Sequence, residues 1–130
     1  MASMFSQLLE KTHQQPEQQR LLFLFASTEQ SKKSRKRQDG NGTITPTMVV
    51  DKLPEELTDF KSLVNEADSI NRDWDFIFIA GLSGDQQSAP TTEEAEPYLN
   101  NMTNDVVSGN NIHRYVVLDR QENPIEIMAG

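Results

Sequence analysis

Apolar residues in this chain gather in a few short clusters, and the period within each cluster decides what it builds. Between Met4 and Gln15 they recur at helical spacing, with Phe5, Leu8, Leu9 and Thr12 behind a capping Ser3 and ahead of Pro16, so a short amphipathic helix is expected. From Arg20 to Ser27 the residues are apolar on both parities (RLLFLFAS), the mark of a strand covered on both faces, and the run is too short for a buried helix. Trp74 to Leu82 (WDFIFIAGL) repeats the mark and predicts a second central strand, with Trp74 as a core residue capping the sheet. Thr43 to Asp51 (TITPTMVVD) is β-branched but interrupted by Pro46, which cannot donate to a ladder, so a bulge or a sheet edge is expected at that end.

Helical spacing returns after Pro54, a residue suited to a first turn, with Glu55 and Glu56 near the positive end and Leu53, Leu57, Phe60, Val64 and Ala67 on one face. Thr91 and Glu94 form a capping box ahead of a helix burying Ala95, Leu99, Met102 and Val106. Pro97 lies deep in that helix; either the helix kinks there or it begins near Pro97 with the acidic residues as a lead-in turn, and both remain open. His113 to Leu118 (HRYVVL) and Pro124 to Met128 (PIEIM) flank the polar connection Asp119 to Asn123 and predict a hairpin.

The expected element order is therefore α-β-β-α-β-α-β-β in a single α/β domain over residues 1–130. Two strand-helix-strand units in succession predict that strands two, three and four run parallel, because a helical crossover returns the chain to the same side of a sheet. The first and last strands then add antiparallel pairs. The expectation is a layered fold around a central mixed five-stranded sheet.

Composition narrows the chemistry. The chain has 130 residues, 12 Lys+Arg against 20 Asp+Glu, a formal net charge of −8 and 35% hydrophobic residues, enough for one core without a staple. It has no cysteine, which excludes disulfides, thiolate zinc sites, iron–sulfur clusters and a cysteine nucleophile. The longest apolar run, Leu21 to Ala26, is far short of the roughly 20 residues of a membrane span, and no signal segment opens the chain. A cytoplasmic protein with no membrane partner is expected.

The run Gln19 to Ala26 (QRLLFLFA), then Ile44 to Lys52 (ITPTMVVDK) and Pro54-Glu55-Glu56-Leu57, resembles a family of short, functionally uncharacterised proteobacterial proteins. With Trp74 to Ser83 and Leu118-Asp119-Arg120 the likeness spans most of the chain. Members of that family sometimes bear the label "ribonucleotide reductase subunit alpha". A reductase large subunit needs one cysteine for its thiyl radical, a cysteine pair to supply electrons, and a barrel several times this size. A chain of 130 residues without cysteine has neither the thiols nor room for the barrel, so the resemblance implies a bacterial cytoplasm and carries across no activity and no catalytic residue. In the family the connection after the first strand is often richer in acidic and small residues, so the basic cluster here is a departure.

That cluster is Lys32, Lys33, Arg35, Lys36 and Arg37, inside a polar segment, 29–42, expected to form a flexible surface loop closed by Asp39-Gly40-Asn41-Gly42. It reads first as a solvated loop and second as an anion-binding one. Without interleaved aromatics or a recognised nucleic-acid motif, nucleic acid is not the expected partner. From Asp73 to Ile112 the signs reverse: Asp73, Asp75, Asp85, Glu93, Glu94, Glu96 and Asp105 stand with no Lys or Arg, suiting either solubility or docking on a basic partner.

Parallel strands would bring their carboxyl ends to one border, where open sheets tend to bind ligands. The candidates there are Asp51, Lys52, Ser83, Gly84, Asp85 and Asp119. Glycines on either side of Ser83 could offer N–H groups to an anion and the acids could hold Mg²⁺, although Asp and Gly at strand ends are also what turns require. His13 and His113 have no evident partners, and no nucleophile elbow or His-Glu-x-x-His is present. No catalytic residue, metal site or cofactor is assigned. The first functional expectation is a small non-catalytic interaction or accessory protein with a protein partner, as monomer or homodimer. The alternative is a small-ligand or phosphate/nucleotide-binding protein, or an enzyme, working through the strand-end loops.

Overall fold

A computed structural model of the chain describes residues 4–28, 44–109 and 112–125. The helix α1 (Met4–His13) leads into β1 (Gln19–Thr28), β2 (Ile44–Lys52), α2 (Phe60–Ile70), β3 (Phe76–Ser83), α3 (Thr92–Ser108) and β4 (Val116–Asp119). The strands form one sheet in the order β2-β1-β3-β4, and every neighbouring pair is antiparallel. The expected mixed five-stranded sheet is thus corrected to a four-stranded antiparallel one.

Two causes account for the difference. β2 and β3 do run in the same direction across the α2 crossover, but β1 is inserted between them and opposes both. The connection from β3 to β4 does not carry the chain back to the opposite end of the sheet as a crossover would. Thr92, at the start of α3, bonds to Asp51 on β2, whereas Asp105 near its end bonds to Tyr115 just before β4. The helix therefore crosses the strands instead of running back along them, and the chain re-enters the sheet from the rim it left. In place of a fifth strand, Pro124 makes an isolated bridge to Leu118 and Ile125 donates to the Val117 carbonyl at 2.9 Å; residues 126–128 lie outside the described residues.

Side-chain parity along the strands separates two cores. Leu21, Phe23 and Phe25 of β1 with Ile77, Ile79 and Leu118 form one, covered by Phe5 of α1 and by Phe60, Leu63 and Ala67 of α2. Leu22, Leu24, Ala26, Phe78 and Val117 form the other, covered by Ala95, Leu99, Met102 and Val106 of α3. This double cover is why the apolar runs show no alternation. At Pro46 the register slips between Phe25 and Ala26, and the Thr47 hydroxyl donates to the Phe25 carbonyl at 3.0 Å, so the edge strand carries both the expected bulge and the expected edge position.

Helix boundaries follow local capping. Pro54–Glu56 forms only a 3₁₀ turn, and α2 proper starts at Phe60 because Asp59 accepts from the Ser62 amide at 2.9 Å. The Thr91/Glu94 capping box forms, and α3 continues through the exposed Pro97 to end on Gly109, whose φ of 80° suits a glycine. Ile112–Arg114 is a 3₁₀ turn where a strand start was expected. Among the described residues no helix is long and apolar enough to cross a membrane.

Tyr115 fastens the end of α3, its hydroxyl donating to Asp105 Oδ2 at 2.5 Å. Burial, then the Asp105 acceptor and its charge, push the phenol from the ordinary 10.0 up to about 12. The folded state keeps this proton over a range where the unfolded chain releases it. Its stabilising contribution is whole below pH 10.0 and disappears as pH rises through about 12. Denaturant unfolding across that interval is expected to show stability falling in the parent and falling less in Tyr115→Phe; equal slopes would contradict the assignment.

Candidate functional site

The carboxyl ends of β2 and β3 do meet at one rim, because both strands oppose β1: Asp51 lies opposite Leu22, and Leu82 opposite Arg20. At this rim the 85–91 connection and the first turn of α3 enclose an open cleft of about 470 Å³, lined by Arg20, Leu53, Glu55, Pro90, Thr92 and Glu93 among others. Its floor is a polar knot. The Arg20 guanidinium donates through Nη1 to Asp51 Oδ2 at 2.5 Å and through Nε to the Pro90 carbonyl at 2.5 Å. The Thr92 hydroxyl donates to the same Asp51 oxygen at 2.9 Å. With side-chain exposures of 12% and 14%, Arg20 and Asp51 are a largely buried pair whose charges are engaged with each other.

The remaining candidates are engaged as well. Lys52 pairs with Glu66 of α2 at 2.6 Å. The Ser83 hydroxyl accepts from Gln19 Nε2 at 2.8 Å, and the Gly84 amide donates to the Gln18 carbonyl at 2.8 Å, so that amide extends the ladder and is not turned to an anion. Asp85 Oδ1 accepts from the amides of Gln87 at 2.8 Å and Ser88 at 2.7 Å, and these bonds hold its carboxyl below the usual range. Asp85 is a turn residue.

Asp119 is not at this rim. β4 runs opposite to β3 and sets Asp119 against Phe76, at the far end of the sheet. There it organises the following turn, accepting from the Gln121 and Asn123 amides, both at 2.9 Å. Partial burial works to raise its carboxyl; the Asn123 and Gln121 bonds outweigh that and leave it lowered. The sequence-level site therefore divides: Asp51, Lys52, Ser83, Gly84 and Asp85 share one border and Asp119 lies on the other. The basic cluster Lys32, Lys33, Arg35, Lys36 and Arg37 lies outside the described residues.

Arg20, Thr92, Glu55 and Glu93 are site residues that sequence reasoning did not select. Arg20 carried a usable signal, since a charge opening a strand apolar on both parities requires a partner at its end of the sheet. With Arg20 engaged, the remaining charges at the cleft among the described residues are the exposed Glu55 and Glu93. The mouth favours polar or cationic groups over anions. Among the described residues no three His, Cys, Asp or Glu converge as metal ligands.

Gly84 holds the cleft wall in place. A Cβ there would collide with the Ser88 carbonyl oxygen and stand 2.9 Å from Pro90 Cδ. Gly84→Ala is expected to cost about 1–3 kcal/mol in urea unfolding and to shift the amide resonances of residues 85–90. An unchanged midpoint would contradict this packing.

In comparisons with protein-family models, with curated proteins and with solved structures, the chain matches none.

Proposed function

We propose that the protein works by binding a macromolecular partner and performs no reaction of its own, as a small interaction or accessory protein. One observation supports this reading above the others. Away from the core, α3 carries exposed Glu93, Glu94 and Glu96, with Tyr98 at 51% exposure on the flank of Glu94 and Val107 at 64% on the flank of Glu96, and the helix contains no Lys or Arg. The carboxylates steer a basic protein surface toward the helix, and the tyrosine and valine supply contact area once it arrives. The rim supports the same reading, because Asp51, Lys52 and Asp85 there are tied into the fold. In keeping with the family resemblance and the acidic, cysteine-free composition, the setting is a bacterial cytoplasm, the protein acts as monomer or homodimer, and its partner is a protein and not a nucleic acid.

The test is affinity capture with the tagged full chain beside a Glu93→Gln, Glu94→Gln, Glu96→Gln variant of equal melting temperature. A partner retained by the parent, released by added salt and lost by the variant agrees with the reading. Equal recovery by both, or no partner at all, removes it.

The rim cleft favours a second reading, binding of a small polar ligand, since about 470 Å³ lies within the range of small-molecule sites. Hydroxyl- or amine-bearing molecules fit Glu55 and Glu93 better than phosphates or nucleotides do. Thermal melting against a panel of amines, sugars and nucleotides decides: a concentration-dependent gain for one class supports ligand binding, and an unmoved transition across the panel dismisses it.

A further inference from the structure

On the opposite side of the sheet from α3, a groove of about 250 Å³ runs between the end of α1 and β3, floored by Leu8, Leu21, Ile79 and Val116. Its two charged lining residues are Lys11 and Arg114, both exposed, and neither makes an ion pair with a described residue. Among the described residues no carboxylate lines it, in a chain whose net charge is −8. This is a cationic groove on an acidic protein.

The groove also follows an unfinished sheet edge. β4 pairs with β3 only from Phe76 to Ile79, while β3 continues to Ser83 in register with β1. Gly84 donates to the Gln18 carbonyl, which fixes the alternation: even-numbered residues of β3 turn their amide groups toward β1 and odd-numbered ones toward the β4 side. Ile77 and Ile79 meet Leu118 and Val116 there, but Gly81 and Ser83 face no described strand. The chain enters β4 from the 3₁₀ turn Ile112–Arg114, so Arg114 borders a lane that no described strand fills.

Gly81 keeps the floor low. A Cβ there would meet Gln19 Oε1 at 3.4 Å and Leu21 Cδ2 at 3.9 Å, ordinary contacts, so packing does not demand glycine at this position. Glycine inside a strand often marks a close approach by another backbone.

We propose that this lane receives an extended acidic segment of a protein partner, which adds as a short strand beside Ala80–Ser83. Its main chain bonds to the outward amide groups of Gly81 and Ser83, alternate side chains enter the groove, where their carboxylates pair with Lys11 and Arg114, and the side chains between them turn to the other face of the sheet. The open edge is four residues long, which at about 3.3 Å per residue accommodates about four residues of the partner. This surface does not depend on docking at α3, and either can fail without the other.

The experiment is a titration of the ¹⁵N-labelled full chain with an end-capped heptapeptide alternating glutamate and valine. Shifts centred on Gly81, Leu82, Ser83 and Val116, with slowed hydrogen exchange at the Gly81 and Ser83 amides, are expected. The paired variant Lys11→Glu, Arg114→Glu should weaken binding about tenfold or more, and Gly81→Val should abolish it while the melting temperature holds. Equal binding by a backbone N-methylated peptide overturns strand addition, and equal binding by a lysine–valine peptide overturns the charge assignment. Shifts confined to α3 or the rim cleft, or no shifts, overturn the site. Tighter occupation of the groove by a single-stranded DNA oligomer would overturn the assignment to a protein partner.

Discussion

Asp51→Ala is expected to destabilise the fold by about 3–5 kcal/mol, more than its place near the surface suggests. Arg20 sits on the doubly covered strand β1 with its side chain 12% exposed, and Asp51 is its only ion-pair partner among the described residues. Removing the carboxylate leaves a guanidinium charge largely out of water, held among the described residues by the Pro90 carbonyl, and takes the acceptor from the Thr92 hydroxyl as well. The loss therefore measures a stranded charge, not the value of the pair. Replacing both residues by leucine should recover most of it, since apolar groups of similar size lack the desolvation cost. Urea unfolding of Asp51→Ala and of the Arg20→Leu, Asp51→Leu double variant, followed by Trp74 fluorescence, tests this. An Asp51→Ala loss below about 1 kcal/mol would show the guanidinium reaching water after all.

Trp74→Ala is expected to cost a similar amount, about 3–5 kcal/mol, for a different reason. The indole is 2% exposed and meets the Phe25 ring edge-on at 5.1 Å between centroids. It is also the centre of a closed polar circuit. Its Nε1 donates to Asp68 Oδ1 at 3.1 Å, and the Arg120 guanidinium lies 4.1 Å above its ring. Arg120 in turn donates to Asp68 Oδ2 at 2.7 Å and to the Trp74 carbonyl at 3.1 Å. Truncation opens a cavity beside Phe25 and removes both the cation–π contact and one bond to Asp68. Trp74→Phe keeps most of the packing and should lose about 1 kcal/mol, the share of the N–H bond. Since Trp74 is the chain's one tryptophan, circular dichroism must follow these variants. Equal losses for the two would assign the effect to the hydrogen bond alone.

The strands and faces were legible because burial on both sides leaves a direct trace: RLLFLFAS and WDFIFIAGL are apolar at every parity, and both lie at the centre of the sheet. The caps were legible for the same kind of reason, since Thr91 and Glu94 act within one turn. Strand order was not. Whether β1 lies beside β2 and β3 or outside them depends on contacts between residues far apart, and nothing within a ten-residue window records it. The course of α3 over the sheet is equally hidden, because a helix laid along strands and one laid across them bury the same face. That one reversal moved Asp119 to the far end and left the rim to Asp51, Lys52 and the Ser83–Asp85 turn. The groove beside β3 went unnoticed because its parts come from α1, β3 and the turn before β4, and no spacing connects Lys11 with Arg114.

The position of β1 bears on how the chain comes off the ribosome. Leu21 to Ala26 emerges early, yet the strand that flanks it on one side is residues 76–83 and the helix that covers one of its faces is residues 92–108. Until those later residues are made, this apolar stretch is therefore without its lid. Nascent chains halted before residue 92 should be the ones that clump or recruit a chaperone, and those released after residue 108 should not.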